Sequence, residues 1–530
     1  MKKYLHPLLL ILTLLLFLFL RLYRFSDLTW FWPDQAVDLL VAHRLVNSGV
    51  WPLVGPYLSI NSFSVPPTYF YILSLFYWIT GTPEGTALGF VVLELFSLLF
   101  LYLLARTLWD VWFGVIVIFL YSISTVMISH ARSMWQPHPV MVFLMASLWL
   151  LAKAKVTSST RLYGVSLCCY AIACSIYPSP LVLLPFYLYH GSRLFRRKLP
   201  GIRSYILPLL YVTLSFCIVS LPLLWFEVTN GFPTLGAIGS GAVGLSPLSD
   251  VLRSALQNIF GFFFATIWFN QNWHNNYRAY TVVFGSLIVA VCCYLFVRRS
   301  KSIAKLSKLQ NFLSFITVFV GFLPVLLYRD MHETMWPWHR LYGFLPLFFL
   351  LFGLIIRYVF VTRRVWYAMP VIILTSLYVY ANISTSYSWL TSTTDGSDAK
   401  NARMIADAMH AYTTQNHIAR RSVTVMGIGP NAGWNSYIHP ELYFLTSHFD
   451  WPVQFDTFGN KVIYDNQHRF RRHVLLVCKD FTRYTVADVE CRNGFLSDFV
   501  GYQLKSSVRF PNSTVLYMFE NPQLSTAAEM

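Results

Sequence analysis

The chain has 530 residues, of which 56% are hydrophobic and only 12% are charged, and its formal net charge is +17. A water-soluble protein of this length could not cover its surface with so little charge, so the composition excludes an ordinary soluble fold. Aromatic residues, at 18%, suit the two interfacial belts of a membrane protein. We therefore predict an integral membrane protein.

Apolar segments long enough to cross a bilayer recur along the first 381 residues. We predict about eleven membrane-spanning helices, near residues 4–20, 86–105, 112–129, 138–152, 162–176, 179–190, 205–226, 279–297, 311–328, 340–356 and 365–381. The first follows Lys2 and Lys3, and Arg21 succeeds it in place of a small-residue cleavage site. This pattern favours an uncleaved first helix and a cytoplasmic N-terminus.

The positive charge is concentrated in the loops that this topology places in the cytoplasm. Nineteen basic residues lie there against one acidic residue, Asp110. Because basic residues stay on the cytoplasmic side of membrane proteins, the charge reflects topology. Nucleic-acid binding needs a basic face with an element that reads a groove, and the sequence has no such pattern, so we expect no nucleic-acid partner.

Two long loops are predicted on the outer side, at about 21–85 and 227–278. In the first, "FWPDQAVDLL" places Pro33 where it can open a helix, and "NSG" at 47–49 can close that helix. Its apolar residues favour a position along the membrane surface. A second apolar piece, at 68–81, is too short for a span, and we interpret it as juxtamembrane or re-entrant.

The composition turns polar after about residue 382. "AKNARMIADAMHAY" predicts a helix, and "SVTVMGIG", "HVLLVCKD" and "STVLYMFE" predict short strands. Together they indicate a small extracytoplasmic α/β domain at 382–530, following a membrane module at 1–381. A disulfide between Cys478 and Cys491 is permitted there. Asn382 begins "NIS", which fits the glycosylation acceptor pattern.

Charge close to hydrocarbon is costly and is rarely kept without a use, which makes Asp34 in the first outer loop a candidate functional residue. An acidic residue in the first turn of a helix also complements the helix macrodipole, so a purely structural role stays open.

A very short outer connection, "SHARSMWQPHP" at 129–139, concentrates polar and aromatic side chains. Arg132, Trp135, Gln136 and His138 are its candidate site residues. The alternative is an anchor of aromatic and basic residues at the membrane interface.

A third outer stretch, "RDMHETMWPWHRLYG", ends in "HRLYG", which contains His339, Arg340 and Tyr342. Arg340 is basic on the outer side, against the general trend, and a guanidinium there can bind a phosphate at two points. Anchoring to lipid headgroups is the alternative. The same stretch offers possible metal ligands, although their spacing matches no established zinc motif; these are Asp330, His332 and Glu333.

A carboxylate, arginines and aromatic residues on three outer loops are what a membrane transferase with a lipid-phosphate donor needs. In this order of parts the chain resembles the GT-C glycosyltransferases, specifically the family 39 or protein-mannosyltransferase-like group, over about residues 1–380. The resemblance rests on the acidic motif of the first outer loop, the "R-x-x-W-x-P" stretch and the late "HRLYG". The family's acidic motif is commonly Asp-Glu, whereas this chain has Asp34-Gln35.

The resemblance implies a polytopic membrane protein with a GT-C-like fold. It also implies an enzyme that transfers a sugar from a polyprenyl-phosphate donor to a hydroxyl of a lipid, glycan or protein at the outer membrane face. The transfer would invert the anomeric centre. Asp34 would be the base, and Arg340 with Arg132 would stabilise the departing phosphate. The substrate pocket would include Gln35, Trp135, Gln136, His138, His339 and Tyr342.

Two other classes stay open on sequence alone. One is a polytopic lipid or sugar transporter or flippase without transferase chemistry, although such folds tend to place charges near mid-membrane on broken helices. The other is a receptor or assembly scaffold that acts through the C-terminal domain.

Overall fold

The structure is a computed structural model. It describes residues 2–31, 33–58, 63–196, 201–233, 343–362, 365–391, 399–418, 423–428, 455–458, 461–464, 472–479, 496, 501–510 and 514–524. The spans predicted at 279–297 and 311–328 and most of the predicted loop at 227–278 lie outside these residues.

Helices dominate the described part of the first 391 residues. They are α1 (Lys2–Leu22), α2 (Phe25–Leu28), α3 (Pro33–Ser48), α4 (Thr68–Thr80), α5 (Pro83–Leu108), α6 (Val111–Ile123), α7 (Thr125–His130), α8 (Val140–Thr157), α9 (Thr160–Ile176), a 3-10 helix (Ser179–Leu183), α10 (Leu184–Arg196), α11 (Arg203–Thr229), α12 (Leu345–Thr362) and α13 (Val365–Thr391). Strands β1 (Tyr57–Leu58) and β2 (Phe63–Ser64) pair as a short antiparallel hairpin.

Several of these helices have the length and hydropathy of membrane spans. Among the described residues the segments that can cross a bilayer are Leu5–Leu22 of α1, all of α5, all of α8 and all of α11. Shorter apolar stretches occupy α6, α9 and the first part of α12. The chain is thus a polytopic membrane protein, as predicted, while the number of spans stays a prediction.

Three predicted spans differ in form from the helices observed. The predicted span 112–129 is interrupted at Ser124, which has an extended backbone and separates α6 from α7. The predicted span 179–190 begins as the 3-10 helix, which starts next to Pro178 and contains Pro180. The predicted span 365–381 continues to Thr391, because the polar residues after Ala381 remain helical and bond to neighbouring helices.

The apolar piece at 68–81 forms α4. It ends at Gly81, whose φ of +66° is the left-handed conformation that glycine adopts at low cost. Thr82 then caps α5, since its side-chain oxygen accepts a hydrogen bond from the Gly85 amide, and Pro83 occupies the first turn of that helix. The two helices therefore form a tight hairpin.

The membrane-spanning unit has two ends. At one end α1 finishes and α8 begins, and we call this the site end. At the opposite end the Asp110 carboxylate caps α6 by accepting from the Phe113 amide, and it pairs with Arg357 of α12 at 2.7 Å. These polar contacts tie α6 to α12 at the opposite end.

The C-terminal part contains α14 (Ala399–Gln415) and a six-stranded mixed sheet. The strands are β3 (Val423–Ile428), β4 (Phe455–Phe458), β5 (Lys461–Tyr464), β6 (His473–Lys479), β7 (Gln503–Arg509) and β8 (Thr514–Glu520), in the order β4-β5-β3-β6-β8-β7. Among the pairs formed by these six described strands, only β3 and β6 are parallel. The predicted helix and the three predicted strands are all present.

The sheet has apolar side chains on both faces. Along β6, Leu475 and Val477 belong to the same core as the buried face of α14, whereas Val474 and Leu476 belong to a separate core. A central strand covered on both sides accounts for the continuous apolar run "VLLVC".

Cys478 in this strand is disulfide-bonded, and Cys491 lies outside the described residues, so their pairing stays a prediction.

Candidate functional site

The first outer loop brings the acidic motif to the site end. Only ten residues separate α1 from α3, and α3 begins at Pro33 as predicted, which places Asp34 and Gln35 in its first turn. Backbone amides in the first turn of a helix lack partners within that helix and favour a nearby negative charge. The position of Asp34 therefore depends on where α1 ends and on the contacts that hold the start of α3 against the helix bundle.

The connection between α7 and α8, residues 131–139, holds this turn; we call it the site loop. The Trp30 amide donates to the Arg132 carbonyl at 3.1 Å, and Trp30 and Ser133 form an isolated parallel β-bridge. The Gln35 side-chain amide donates to the Ser133 hydroxyl at 2.6 Å. Two of the three sequence motifs are thereby brought together.

Ser133 is the residue that sequence reasoning missed. Its side chain is fully buried, its hydroxyl accepts from Gln35, and its carbonyl oxygen lies 2.8 Å from Nδ1 of His138. A serine between an arginine and a methionine gives no pattern that would have identified it. The only available signal was its place inside a short loop rich in polar and aromatic residues.

Arg132 is fully buried, and its guanidinium serves the end of α1. It donates to the carbonyl oxygens of Leu20 and Tyr23, both at 2.8 Å, and it lies 5.1 Å from the centre of the Trp389 ring. Burial, followed by the nearby charges of Arg21 and Arg24, lowers the pKa of Arg132 to about 9. The guanidinium thus remains charged at neutral pH while it satisfies the unpaired carbonyls of a helix C-terminus.

The predicted pocket residues of the site loop lie close to one another. Trp135 is partly buried, and its ring is 6.1 Å from that of His138. Burial lowers the pKa of His138 to about 4, against the opposing effect of its hydrogen bond to Ser133, so the imidazole is neutral at pH 7. Gln136 is buried and donates to the Ile176 carbonyl at 2.6 Å. Of these three, Trp135 has the most surface available to a ligand.

The third motif lies outside the described residues, which includes His339, Arg340, Tyr342 and the possible metal ligands Asp330, His332 and Glu333. The chain resumes at Gly343 against the start of α8: a Cβ on Gly343 would lie 2.5 Å from Cγ1 of Val140. Because Val140 directly follows the site loop, "HRLYG" ends beside it. Within the described residues no cluster of three potential metal ligands is found.

Comparison with known proteins bears on the fold. Residues 64–225 match the family model of dolichyl-phosphate-mannose-protein mannosyltransferases. No curated protein matches the chain at a significant level. Two crystal structures of ArnT from Cupriavidus metallidurans, one bound to undecaprenyl phosphate and one in the apo state, align over 97% of both chains with TM-scores of 0.52 and 0.53 and 12% identity.

The chain resembles the GT-C glycosyltransferases. The resemblance inferred from the sequence motifs is therefore confirmed, and at 12% identity the likeness to ArnT shows a shared fold. The likeness in fold to ArnT covers the membrane-spanning unit and the C-terminal part alike, because the alignment spans nearly the whole length of both chains. Activity has to be argued from the site itself.

Proposed function

We propose that this protein transfers a sugar from a polyprenyl-phosphate-sugar donor to an acceptor hydroxyl at the outer membrane face, with inversion of the anomeric centre. The observation that carries the proposal is the contact between the turn holding Asp34 and the site loop, through Gln35 and Ser133. This contact lies at one end of the helix bundle, where a lipid donor can keep its tail in the bilayer. The fold is that of a protein crystallised with undecaprenyl phosphate.

Asp34 takes the proton from the acceptor hydroxyl as that oxygen attacks the anomeric carbon. The bond from this carbon to the phosphate oxygen breaks in the same step, and the phosphate leaves with the electron pair. A positioned general base of this kind contributes about 10²–10⁴-fold to a rate. Trp135 offers the sugar an apolar ring face. Gln35 holds the first turn of α3, which carries Asp34, against the site loop.

Arg340 binds the departing phosphate. It precedes Gly343 by three residues, which span at most about 11 Å even when fully extended, and Gly343 contacts Val140 beside the site loop. A guanidinium there stabilises the charge that develops as the bond breaks. His339 and Tyr342 would then line the same pocket. The acceptor hydroxyl would belong to a lipid, a glycan or a protein.

For Arg132 we propose a structural role instead of a phosphate contact. Its Nη2 donates to the carbonyl oxygens of Leu20 and Tyr23 at the end of α1, and its side chain has no exposed surface. It therefore acts on the reaction by holding the site loop against the end of α1. Arg340 is left as the phosphate ligand.

The proposed orientation places the site end outside and the opposite end in the cytoplasm. Basic residues of predicted inner loops lie at the opposite end, where Arg357 pairs with Asp110. Helix α14 reaches the site end, since Lys400 pairs with Asp27 of α2 at 3.0 Å. The C-terminal unit is then extracytoplasmic. We propose that it starts after Thr391, where α13 ends.

The test is sugar transfer by the purified protein in bilayer nanodiscs, with a panel of polyprenyl-phosphate sugars and a mixed pool of acceptors. We expect Asp34→Asn to lower turnover by about 100-fold or more while donor binding stays similar, because an amide cannot accept the proton. Asp38→Asn, one helical turn along α3, is the matched control and should stay within about threefold. A folded Asp34→Asn protein with near-normal turnover would rule out the base assignment.

A further inference from the structure

The break between α6 and α7 occurs without the residues that most often break a helix. Residues 120–128 read "LYSISTVMI", which contains neither proline nor glycine, the usual origins of a sharp helix break. Yet Ser124 has an extended backbone, with φ −64° and ψ 118°, where the apolar helix α6 ends inside the predicted span 112–129. A backbone break at membrane depth is tolerated only where other groups satisfy the hydrogen bonds that it frees.

Side chains from α1 and α13 supply those hydrogen bonds. The Tyr378 hydroxyl donates to the Leu120 carbonyl at 2.8 Å, and Arg21 donates to the Ser122 carbonyl at 2.9 Å. The Thr125 amide donates to the side-chain oxygen of Asn382 at 2.9 Å. The break is thus held from outside by neighbouring helices.

Asn382 makes the most extensive of these contacts. Besides accepting from the Thr125 amide, its own amide group donates to the Tyr378 carbonyl, and its backbone carbonyl accepts from the Thr125 hydroxyl at 3.0 Å. The Thr125 hydroxyl also lies 2.8 Å from that of Ser386. Because its side chain is 2% exposed and committed to these bonds, Asn382 does not serve as a glycosylation acceptor despite its "NIS" motif.

The break sets the direction of the segment that leads to the site. From Thr125, α7 continues for only six residues before the site loop begins. Helix α13 contacts both sides of this short segment, at Thr125 through Asn382 and at Arg132 through Trp389. A change in the angle at the break would therefore move the site loop relative to the turn that holds Asp34.

We propose that Asn382 is a positioning residue: through Thr125 it holds the angle between α6 and α7 that brings the site loop onto the turn carrying Asp34. The effect on catalysis rests on the proposed transfer reaction, whereas the effect on the site loop does not. A misplacement of about 1 Å far from the reacting atoms can lower a rate by up to about 100-fold.

The experiment compares Thr125→Val with Thr125→Ser, which differ in whether the hydroxyl that bonds Asn382 and Ser386 is kept. Hydrogen exchange of the full-length protein in nanodiscs should be faster in residues 129–139 for Thr125→Val and for Asn382→Ala, and unchanged for Thr125→Ser. The α8–α9 contact between Ser147 and Ser166 serves as an internal reference, because a general loss of structure would accelerate exchange there as well.

In the transfer assay we expect Thr125→Val to lower kcat by about tenfold relative to Thr125→Ser, with KM for the donor nearly unchanged. Exchange in the site loop that is as slow in Asn382→Ala as in the wild-type protein would overturn the proposal, and so would acceleration that also appears in α8 and α9. If exchange changes as expected but the wild-type protein transfers no sugar, the proposed function fails and the positioning role stands.

Discussion

The site end of the membrane-spanning unit and its contact with the C-terminal unit are held by different kinds of polar interaction. At the site end, Arg21 and Arg132 are both fully buried; Arg21 pairs with Glu94 at 2.9 Å, and Arg132 donates to carbonyls of α1. In the contact with the C-terminal unit, Lys400 and Arg403 remain about half exposed beside their acidic partners. Both regions carry charges, but only one excludes water from them.

This difference indicates where the geometry of the site is determined. Losing one partner of a buried polar pair leaves the other unsatisfied, which costs about 1–3 kcal/mol per group, so only one arrangement at the site end is favourable. Exposed ion pairs contribute about 0–1 kcal/mol. These ion pairs therefore add little to the attachment of the C-terminal unit, whose helix α14 contacts α2.

The largest effect should come from replacing the two arginines by methionine, with opposite consequences. We expect Arg132→Met to lower the free energy of unfolding by about 2–4 kcal/mol, because two buried carbonyls lose their donor. Arg340→Met should leave stability nearly unchanged and weaken binding of polyprenyl phosphate by about tenfold or more. Thermal unfolding and titration with polyprenyl phosphate, both in nanodiscs, measure the two effects.

Arg340→Lys is the control for geometry, and it should restore binding only in part because an ammonium lacks the planar two-point contact. A stable Arg132→Met protein that has lost phosphate binding would return Arg132 to the donor site. It would also show that the buried hydrogen bonds of Arg132 do not determine the position of the site loop.

The contrast also explains how far the sequence could lead. Long apolar segments, the start of α3 at Pro33 and three strands of the sheet, β3, β6 and β8, follow from local pattern and were predicted. The hydrogen bonds of Arg132 could not be predicted, because its partners are backbone carbonyls, which leave no trace in residue identity. The interruption at Ser124 escaped for a similar reason, since it is held by Asn382 and Tyr378, more than 250 residues away.

Residues 382–391 show the same limit. Their polar composition predicted the end of the membrane module, yet α13 continues through them because Asn382 and Ser386 bond to Thr125 across the helix interface. Gln35 is a further case: the motif departs from the family pattern at this position, and its amide contacts Ser133. The sequence motifs thus suggested candidate site residues but not the contacts that hold them in place.

An intermediate effect should come from His138, which is buried at the site end. Its pKa in the folded protein is about 4, below the ordinary value of about 6.5. Between these values the unfolded chain binds a proton that the folded protein does not, so stability is lost as pH falls from 6.5 towards 4. Relative to His138→Gln, whose amide can still donate to the Ser133 carbonyl, the wild type should lose up to about 2 kcal/mol between pH 6.5 and 4.5.

Unfolding measured in parallel for the two proteins at each pH isolates this contribution, because the other titrating groups are common to both. The difference should be nearly constant above pH 7. If it were independent of pH down to 4.5, His138 would not be excluded from water, and the site loop would be more open than its contacts indicate.

The smallest effect should come from the charged contact between Lys400 and Asp27. The pKa of Asp27 is lowered, first by its hydrogen bond with Lys400 and then by Arg24, against an opposing effect of burial. Both side chains are nevertheless partly exposed, at 52% and 31%, so water and salt weaken the attraction. A double-mutant cycle of Lys400→Gln and Asp27→Asn should give a coupling energy of about 0.2–1 kcal/mol, and turnover should change by less than about threefold.

The coupling should shrink further in about 1 M salt, where the screening length falls to about 3 Å. A coupling above about 2 kcal/mol, or one insensitive to salt, would mean that the contact with the C-terminal unit is as closed to water as the site end, and the distinction between the two regions would be lost.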